Sequence, residues 1–464
     1  MKCSSSQTAA SRVLVFATAQ RAAYPGLGVF MLVALSLSVI GCANLPRQPD
    51  PPTGAEHATV PGFRETVRYV ADSQATYRMR SERVSARLHE AVGERPLNML
   101  ALSGGGAGGT FGAGVLLGWS RQGSRPEFDI VTGVSVGALY APYAFLGSSW
   151  DDQLVQAFPR PRLEHLLRRS LLTTFFGSSL YRGKPLRDLV DRFVTPELLQ
   201  AVARESSKGR MLLVATTDLD TEQMVIWDLG AIARQGDDRA RQLFRDVLIA
   251  AASIPGIFPP VMIQVQRAGS TFQEMHADAA TTKSLFVAPE AALFPMESVR
   301  WLHGENLYLI INGQLAGAHQ TTQLGTLPII KRGLDALAHS AMLSDFALTY
   351  GFAVRNEMDV HVAYIPDEYP YGGALDFRYA HMRALFEYAE KCAAIDELWT
   401  SASDAAAHAT EVGFSVAGDR LRCPASSPAP SPTEDSRNEP IPAADAIPPG
   451  QSPRRRDEQS AWSR

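Results

Sequence analysis

A serine between two glycines, in the spacing G-x-S-x-G, is the arrangement in this sequence best suited to covalent chemistry. Ser135 stands in "FDIVTGVSVGALY", between Gly133 and Gly137, directly after an apolar run that predicts a short buried strand. On a strand, turn and helix this spacing forms a nucleophile elbow, where the glycines let strand and helix approach without Cβ clashes. The spacing also occurs in ordinary tight turns. Taken alone, it predicts either a nucleophile or a turn residue.

A glycine-rich loop precedes this serine in the chain and follows another strand-like run, "LNMLALS". Its glycines are Gly104, Gly105, Gly106, Gly108 and Gly109, and a helix is expected to begin near Thr110. Backbone N–H groups that converge at a helix N-terminus favour a negatively charged ligand. A nucleotide-binding loop would need a Lys-Ser/Thr pair after the last glycine, which is missing here. Together with Ser135, the loop is expected to hold the oxyanion of a tetrahedral intermediate.

These motifs resemble the patatin-like phospholipase family, which joins a G-G-G-x-[RK]-G loop, a G-x-S-x-G elbow and a later D-G-[GA] motif. The resemblance covers roughly residues 97–390 and includes "AASIPGIFPPV" at residues 251–261. Further similarity to a bacterial lipoprotein branch of the family lies in "TDLDTEQMVIWDLGAIA" and "FRYAHMRALFEYA". The resemblance implies an α/β fold with three layers, α/β/α, around a mainly parallel central sheet.

The resemblance also implies roles for individual residues. Ser135 would be the nucleophile, and Asp278 in "HADAATT" would be its partner in a Ser-Asp dyad that lacks a histidine. Gly105, Gly106 and Gly108 match the oxyanion positions of the family loop. The implied activity is hydrolysis of an acyl ester of a phospholipid or other lipid, through an acyl-enzyme on Ser135, with no cofactor.

The sequence departs from the family pattern in two places. Gly108 stands where the family usually has Arg or Lys, which removes a side chain and leaves the backbone donor. Ala279 and Ala280 replace the glycines after the aspartate. If the first of these positions requires a positive φ, Ala279 is expected to be strained.

Two alternatives to the dyad stay open at this level. One is a Ser-Asp-His esterase, with His276, two residues before Asp278, as the reserve base, or with one of the later histidines, His303, His319, His339, His361 and His381. The other is a catalytically inactive, membrane-tethered lipoprotein that binds a lipid or a partner.

The elements that must position these residues follow from apolar runs that alternate with helical stretches. The runs "LNMLALS", "FDIVTG", "MLLVATTDL", "QMVIWDL", "LYLIING" and "DVHVAYI" predict strands of a layered α/β sheet. No Pro/Gly-rich break divides residues 63–423, which predicts one hydrolase domain. The spacing of Phe63, Val67 and Val70 predicts a peripheral helix from Phe63 to about Val92.

The N-terminal residues predict a lipoprotein signal peptide over residues 1–41. Lys2, Arg12 and Arg21 precede an apolar run, Leu27–Ile40, that is too short to span a bilayer comfortably. "VIGC" then resembles the bacterial lipobox, with Cys42 as the lipidated residue; an uncleaved anchor or an ordinary cleaved signal are the alternatives. Residues 42–62 predict a Pro-rich tether.

These features place the protein in a bacterial cell envelope, lipid-anchored and expected on the periplasmic face of the outer membrane. The residue after Cys42 is Ala43, whereas an aspartate at this position would resemble an inner-membrane retention signal. The formal net charge of -4 argues against a nucleic-acid partner, since such partners attract basic surfaces. Residues 424–464 are rich in proline and poor in large apolar residues, which predicts a disordered tail. The oligomeric state is open.

The chain has 4 cysteines, and none has the spacing of a zinc site, so no metal is predicted. Cys392 and Cys423 remain once Cys3 leaves with the signal peptide and Cys42 carries lipid. In an oxidising compartment these two are expected to form a disulfide, with two unpaired thiols as the alternative.

Overall fold

The computed structural model describes residues 58–70, 84–88, 92–93, 95–158, 183–288, 299–316, 321–410 and 423. The predicted signal peptide, the lipidated Cys42, most of the tether and the Pro-rich tail lie outside the described residues. All described residues belong to one compact unit of the chain, Pro49–Arg464.

All of the runs predicted to be strands are strands in the structure, and further strands join them. In chain order the strands are β1 (Arg68–Val70), β2 (Asn98–Leu102), β3 (Ile130–Gly133), β4 (Met211–Asp218), β5 (Gln223–Asp228), β6 (Val261–Arg267), β7 (Ser270–Asp278), β8 (Asn306–Ile311), β9 (Asp359–Tyr364) and β10 (Thr400–Ser401).

Helices lie between most of these strands. They are α1 (Gly109–Gln122), α2 (Val136–Leu146), α3 (Asp151–Ala157), α4 (Lys184–Phe193), α5 (Pro196–Ser207), α6 (Leu229–Gln235), α7 (Asp238–Ala251), α8 (Thr326–Arg355), α9 (Tyr379–Ala394) and α10 (Ala402–Thr410).

The sheet has a parallel centre and antiparallel margins. Strands β4, β3, β2, β8 and β9 are neighbours in that order and run parallel. Strands β5 and β1 continue the sheet on one side and β10 on the other, all antiparallel to their neighbours. The hairpin of β6 and β7 joins through the last residues of β7, which pair with β4. The structure therefore confirms the predicted α/β fold with a mainly parallel central sheet.

Strand β2 shows how helices come to cover both faces of the sheet. Successive side chains of a strand point to opposite faces. Leu100 and Leu102 accordingly pack into a core that includes residues of α1, α2 and α9, such as Phe111. Met99 and Ala101 belong to a second core that includes residues of α8. Apolar side chains on both faces of β2 thus require helices on both sides.

The prediction of a helix from Phe63 to about Val92 is wrong at its start, because residues 68–70 form β1. Arg68 pairs with Trp227 and Val70 with Val225 across the edge of β5. The edge of β5 supplies hydrogen-bond partners to an extended chain, and Asp228 N–H also donates to the carbonyl of Val67. Pairing with the sheet has overridden a weak helical spacing.

The structure joins Cys392 of α9 and Cys423 in a disulfide, with Cα atoms 5.5 Å apart. Both residues are almost fully buried within the core that includes α1 and α9. The bond fixes residue 423 to the end of α9 and lies far along the chain from the predicted catalytic residues.

Candidate active site

Ser135 occupies the sharp turn between β3 and α2. Its backbone has φ 53° and ψ −125°, a left-handed conformation that costs free energy for any residue with a Cβ. A Cβ on Gly133 would lie 2.8 Å from the Cα of Ala138, and one on Gly137 would lie 2.6 Å from the carbonyl oxygen of Leu102. Only glycine fits at these two positions, as the elbow spacing predicts.

Asp278 contacts Ser135 directly. The Ser135 hydroxyl donates to Asp278 Oδ2 at 2.6 Å, and the Ala280 N–H donates to the other carboxyl oxygen at 2.8 Å. The serine and the aspartate come from elements 143 residues apart in the chain. The structure therefore brings together the two residues that the family resemblance pairs.

The environment of Asp278 disfavours its charged form. Burial raises the pKa of this carboxyl to about 7, although the hydrogen bonds from Ser135 and Ala280 act in the opposite direction. Among the described residues no cation contributes to this pKa. A carboxyl with a pKa near neutrality is a far better proton acceptor than an ordinary aspartate.

The turn after Asp278 does not give Ala279 a positive φ, so the strain that was expected at this residue is absent. Ala279 begins a 3-10 turn, Ala279–Thr281, and is not among the non-glycine residues with positive φ. Its side chain is fully buried beside Val134 and Phe286. Ala279 is therefore unstrained, and its methyl group contributes to packing that a glycine would lack.

The backbone hydrogen bonds of the glycine loop narrow the set of predicted oxyanion donors. Three N–H groups of the predicted set are already bonded: Gly104 donates to Ser284 O, Gly108 to Gly105 O, and Gly109 to Gly106 O and Ala107 O. These three are therefore removed from the set. Within the described part of the chain no hydrogen bond is found from the N–H groups of Gly105 and Gly106.

The loop lies against Ser135. A Cβ on Gly104 would lie 3.2 Å from the Cβ of Ser135. The next two residues have positive φ, 147° at Gly105 and 54° at Gly106, and a Cβ at either would lie close to a backbone carbonyl oxygen. The loop thus needs glycine both for its conformation and for its close approach to neighbouring backbone.

Asn312, at the end of β8, holds the glycine loop in place and was missed by the sequence reasoning. Its N–H donates to Ser103 Oγ at 2.8 Å, and its side-chain amide donates to the Ser103 carbonyl at 2.7 Å. Its side-chain oxygen accepts the N–H of Gly112 in α1. A buried polar residue directly after a strand, in "LYLIING", was the available signal.

The space around Gly108 explains why no long side chain stands there. A Cβ at this position would lie 2.2 Å from the Asn312 carbonyl oxygen and 2.6 Å from the Tyr371 hydroxyl. Tyr371 also donates from that hydroxyl to the carbonyl of Gly105 at 3.2 Å. Tyr371 and Asn312 occupy the space that a basic side chain would need.

A covering segment, residues 369–376, lies over the glycine loop. The N–H of Ala107 donates to the carbonyl of Ala374 at 2.8 Å, and Tyr371 reaches Gly105 as described. Ser135 itself is only 5% exposed. A substrate therefore meets a nearly closed site.

His276, the reserve base, is not brought to Ser135. Its Nε2 lies 3.0 Å from Glu274 Oε2, and its Nδ1 lies 2.9 Å from the hydroxyl of Thr216. Glu274 also pairs with Arg68 at 2.9 Å. Both ring nitrogens are thus engaged elsewhere, and none of the described histidines contacts Ser135 or Asp278.

The described residues contain no group of His, Cys, Asp and Glu side chains able to hold a metal ion. In the same ranges, no helix is both long enough and apolar enough to cross a membrane.

A family model matches the part of the chain that contains the candidate site. Residues 100–284 match the family model of the patatin-like phospholipases, a range that includes the glycine loop, Ser135 and Asp278. This match supports lipid acyl hydrolase activity. No curated protein sequence matches the chain.

Two solved structures are similar over much of the chain. VipD from Legionella pneumophila shares 12% identity, with a TM-score of 0.26, over 63% of this chain and 67% of that protein. Human GIVD cytosolic phospholipase A2 shares 12% identity, with a TM-score of 0.29, over 75% of this chain and 66% of that protein.

Proposed function

We propose that the protein is a serine hydrolase of lipid acyl esters, with Ser135 as the nucleophile and Asp278 as its only base. The observation that carries this proposal is the 2.6 Å hydrogen bond between the Ser135 hydroxyl and a buried carboxyl with a pKa of about 7. The family match over residues 100–284 supports a lipid substrate.

Acylation begins with transfer of the Ser135 proton to Asp278 as the serine oxygen attacks the ester carbonyl carbon. The new C–O bond turns the carbonyl oxygen into an oxyanion, and the N–H groups of Gly105 and Gly106 are proposed as its donors. When the intermediate collapses, the bond to the alcohol breaks and the alcohol oxygen takes the proton from Asp278. The acyl group remains on Ser135 as an ester.

Deacylation repeats these steps with water in place of the serine hydroxyl. Asp278, again ionised, accepts a proton from the water as its oxygen attacks the acyl carbon. The intermediate releases the fatty acid, and Ser135 takes back the proton from Asp278. Both half-reactions use the same carboxyl, and its pKa near 7 lets it accept and return a proton at neutral pH.

Labelling with an active-site-directed fluorophosphonate tests this proposal, because an activated serine displaces fluoride from such reagents and is phosphonylated, whereas ordinary serines react poorly. Wild-type protein should be labelled and should hydrolyse short-chain esters and phospholipids, whereas Ser135→Ala should do neither. Ser148→Ala, at an exposed serine, is the matched control and should keep both properties.

Three other results would overturn the proposal in distinct ways. Absence of labelling and turnover in wild-type protein would favour the inactive binding lipoprotein. Labelling that survives Ser135→Ala would show that a residue other than Ser135 is the reactive nucleophile. Loss of labelling on replacing one histidine, with the fold intact, would favour the Ser-Asp-His esterase.

We also propose that the mature protein is a lipoprotein of the bacterial envelope, anchored through Cys42 and facing the periplasm from the outer membrane. The support is the sequence "VIGC" after a short apolar run. Several acyl chains together anchor a protein stably where one does not. Cys42→Ser should release the protein from the membrane fraction, and the intact mass of wild-type protein should include the acyl chains. An unmodified mass would contradict this proposal and leave the hydrolase proposal standing.

A further inference from the structure

The first half of α8 presents large aliphatic side chains to solvent. Nine exposed large hydrophobic residues occur in the described part of the chain, and five of them lie between residues 324 and 337. We name these five the apolar stripe: Leu324, Ile329, Ile330, Leu334 and Leu337, each between 52% and 100% exposed. Single exposed aliphatic residues are common, but a group of this size marks a contact surface.

The stripe lies on the side of the helix that faces away from the protein. Ile330, Leu334 and Leu337 are spaced four and three residues apart, so they share one face of the helix. Asp335 and His339, on the other side, are half-buried. The second half of the helix packs normally, as Phe346 lies within the core.

One basic residue borders the stripe. Lys331 is exposed next to Ile330, and its Nζ bonds Asp335 at 2.7 Å, whereas Arg332 lies on the half-buried side of the helix with Asp335 and His339. Lys and Arg side chains next to an apolar helix face can lie along it and place their charges at the level of lipid head groups. Exposed aliphatic side chains with a lysine at their border therefore fit the surface of a lipid bilayer.

The stripe is next to the segment that covers the candidate active site. Lys331 Nζ lies 3.9 Å from the position that a Cβ on Gly373 would take. Gly373 belongs to the covering segment, residues 369–376, whose Tyr371 bonds Gly105. A bilayer bound at the stripe would thus meet the protein beside the segment that covers a site proposed to act on lipids.

We propose that the apolar stripe binds the surface of a lipid bilayer and so presents membrane lipids to the active site. This inference rests on the proposed function for its choice of lipid over a second copy of the chain.

Flotation with vesicles tests the stripe directly. The full chain is used in a Cys42→Ser background, so that no lipid on that cysteine can bring it to the vesicles. The stripe variant is Ile330→Gln/Leu334→Gln/Leu337→Gln, in which Gln preserves helix propensity. The matched control is Val155→Gln/Met262→Gln/Ile395→Gln, which replaces exposed aliphatic residues outside the stripe.

We expect the stripe variant to bind vesicles of equal parts phosphatidylglycerol and phosphatidylethanolamine at least about tenfold more weakly than the control. Hydrolysis of phospholipid in those vesicles should fall in parallel. Hydrolysis of a soluble short-chain ester and the melting temperature should match those of the control. If the stripe variant unfolds, Ile330→Ala/Leu334→Ala/Leu337→Ala replaces it.

Unchanged vesicle binding in a folded stripe variant would overturn the proposal. Loss of a dimer in sedimentation, with unchanged vesicle binding, would assign the stripe to a second copy of the chain. A Ser135→Ala version of each protein separates this inference from the proposed function. Stripe-dependent flotation without any ester turnover in the wild type would contradict the proposed hydrolase function and still support bilayer binding by the apolar stripe.

Discussion

Two buried polar clusters are centred on acidic residues four positions apart on β7, Glu274 and Asp278, and they differ in what surrounds each acidic group. At Glu274 the carboxylate is paired with Arg68 and with the imidazole of His276, all almost fully buried. At Asp278 the partners are a hydroxyl and one backbone N–H. Because no cation among the described residues lies beside Asp278, burial raises the pKa of its carboxyl and lets it accept a proton.

The backbone conformation separates the same two clusters. Thr216 and Trp227, which complete the cluster at Glu274, lie on regular strands, and Trp227 Nε1–H donates to Thr216 Oγ1 at 2.8 Å. Ser135, which completes the cluster at Asp278, has a positive φ. Ser135 combines backbone strain with direct contact to a carboxyl whose pKa is raised by burial, a combination typical of reactive sites, whereas the cluster at Glu274 lies on regular strands.

The largest expected effect comes from replacing each of the two candidate bases in turn. Asp278→Asn should lower kcat/KM for a short-chain ester by about 10³-fold or more, because the amide cannot accept the serine proton. His276→Gln should keep kcat/KM within about tenfold and instead lower the free energy of unfolding by about 1–3 kcal/mol, since it disturbs a buried hydrogen-bonded network. Steady-state kinetics and denaturant unfolding of both variants measure this difference.

The opposite pattern would break the comparison. A mild Asp278→Asn together with a folded but inactive His276→Gln would make the histidine the base and the dyad wrong.

The pH dependence of activity is the next largest effect. Because burial raises the pKa of Asp278 to about 7, and the ionised form is the base, kcat/KM should fall about tenfold per pH unit below that value and level off above it. Initial rates with a soluble ester, measured between acidic and alkaline pH, test the profile. A plateau that extends down to about pH 5 would mean that Asp278 has an ordinary pKa.

The same shift predicts a change in stability with pH. The folded-state pKa of Asp278 lies above its unfolded value of about 4, so the neutral form is favoured by folding. The stability contributed by this carboxyl is therefore fully present below about pH 4 and is lost as the pH rises to about 7. Asp278→Asn, which stays neutral, should gain melting temperature relative to wild type at pH 8 compared with pH 5.

The sequence predicted six of the strands and the tight turn at Ser135 because each follows from a short stretch of chain, whereas the parallel centre of the sheet was implied by the family resemblance. The six apolar runs end close to the observed strand ends, and the spacing of Gly133, Ser135 and Gly137 states the turn by itself. The pairing of Ser135 with Asp278 needed the family resemblance, since no local pattern relates residues so far apart in the chain.

What the sequence did not predict depends on long-range hydrogen bonds. Asn312 bonds Ser103 from a position 209 residues later in the chain. Which N–H groups of the glycine loop are already hydrogen-bonded likewise depends on the folded structure. Strand β1 likewise exists because the edge of β5 is there to pair with it. Local periodicity carries no information about either partner.

A smaller effect concerns the strain at Ser135. Both Ser135→Ala and Ser135→Gly remove the hydroxyl, but only glycine adopts φ 53° and ψ −125° without a Cβ penalty. Ser135→Gly should therefore be more stable than Ser135→Ala by about 1 kcal/mol, the strain released being partly offset by the extra chain entropy of glycine. Denaturant unfolding of the two inactive variants compares them, and equal stabilities would show that the elbow is relaxed.

The smallest expected effect concerns Ala279, where the family pattern has glycine. Because Ala279 has a negative φ and a fully buried methyl group, Ala279→Gly should lower the free energy of unfolding by about 1 kcal/mol through lost packing and added chain entropy. Asp278 keeps its bond to the Ala280 N–H, so kcat/KM should change little. Ala280→Gly, at a half-buried position in the same turn, is the control and should cost less. A gain in stability at position 279 would mean that the turn requires a positive φ after all and that Asp278 is held differently against Ser135.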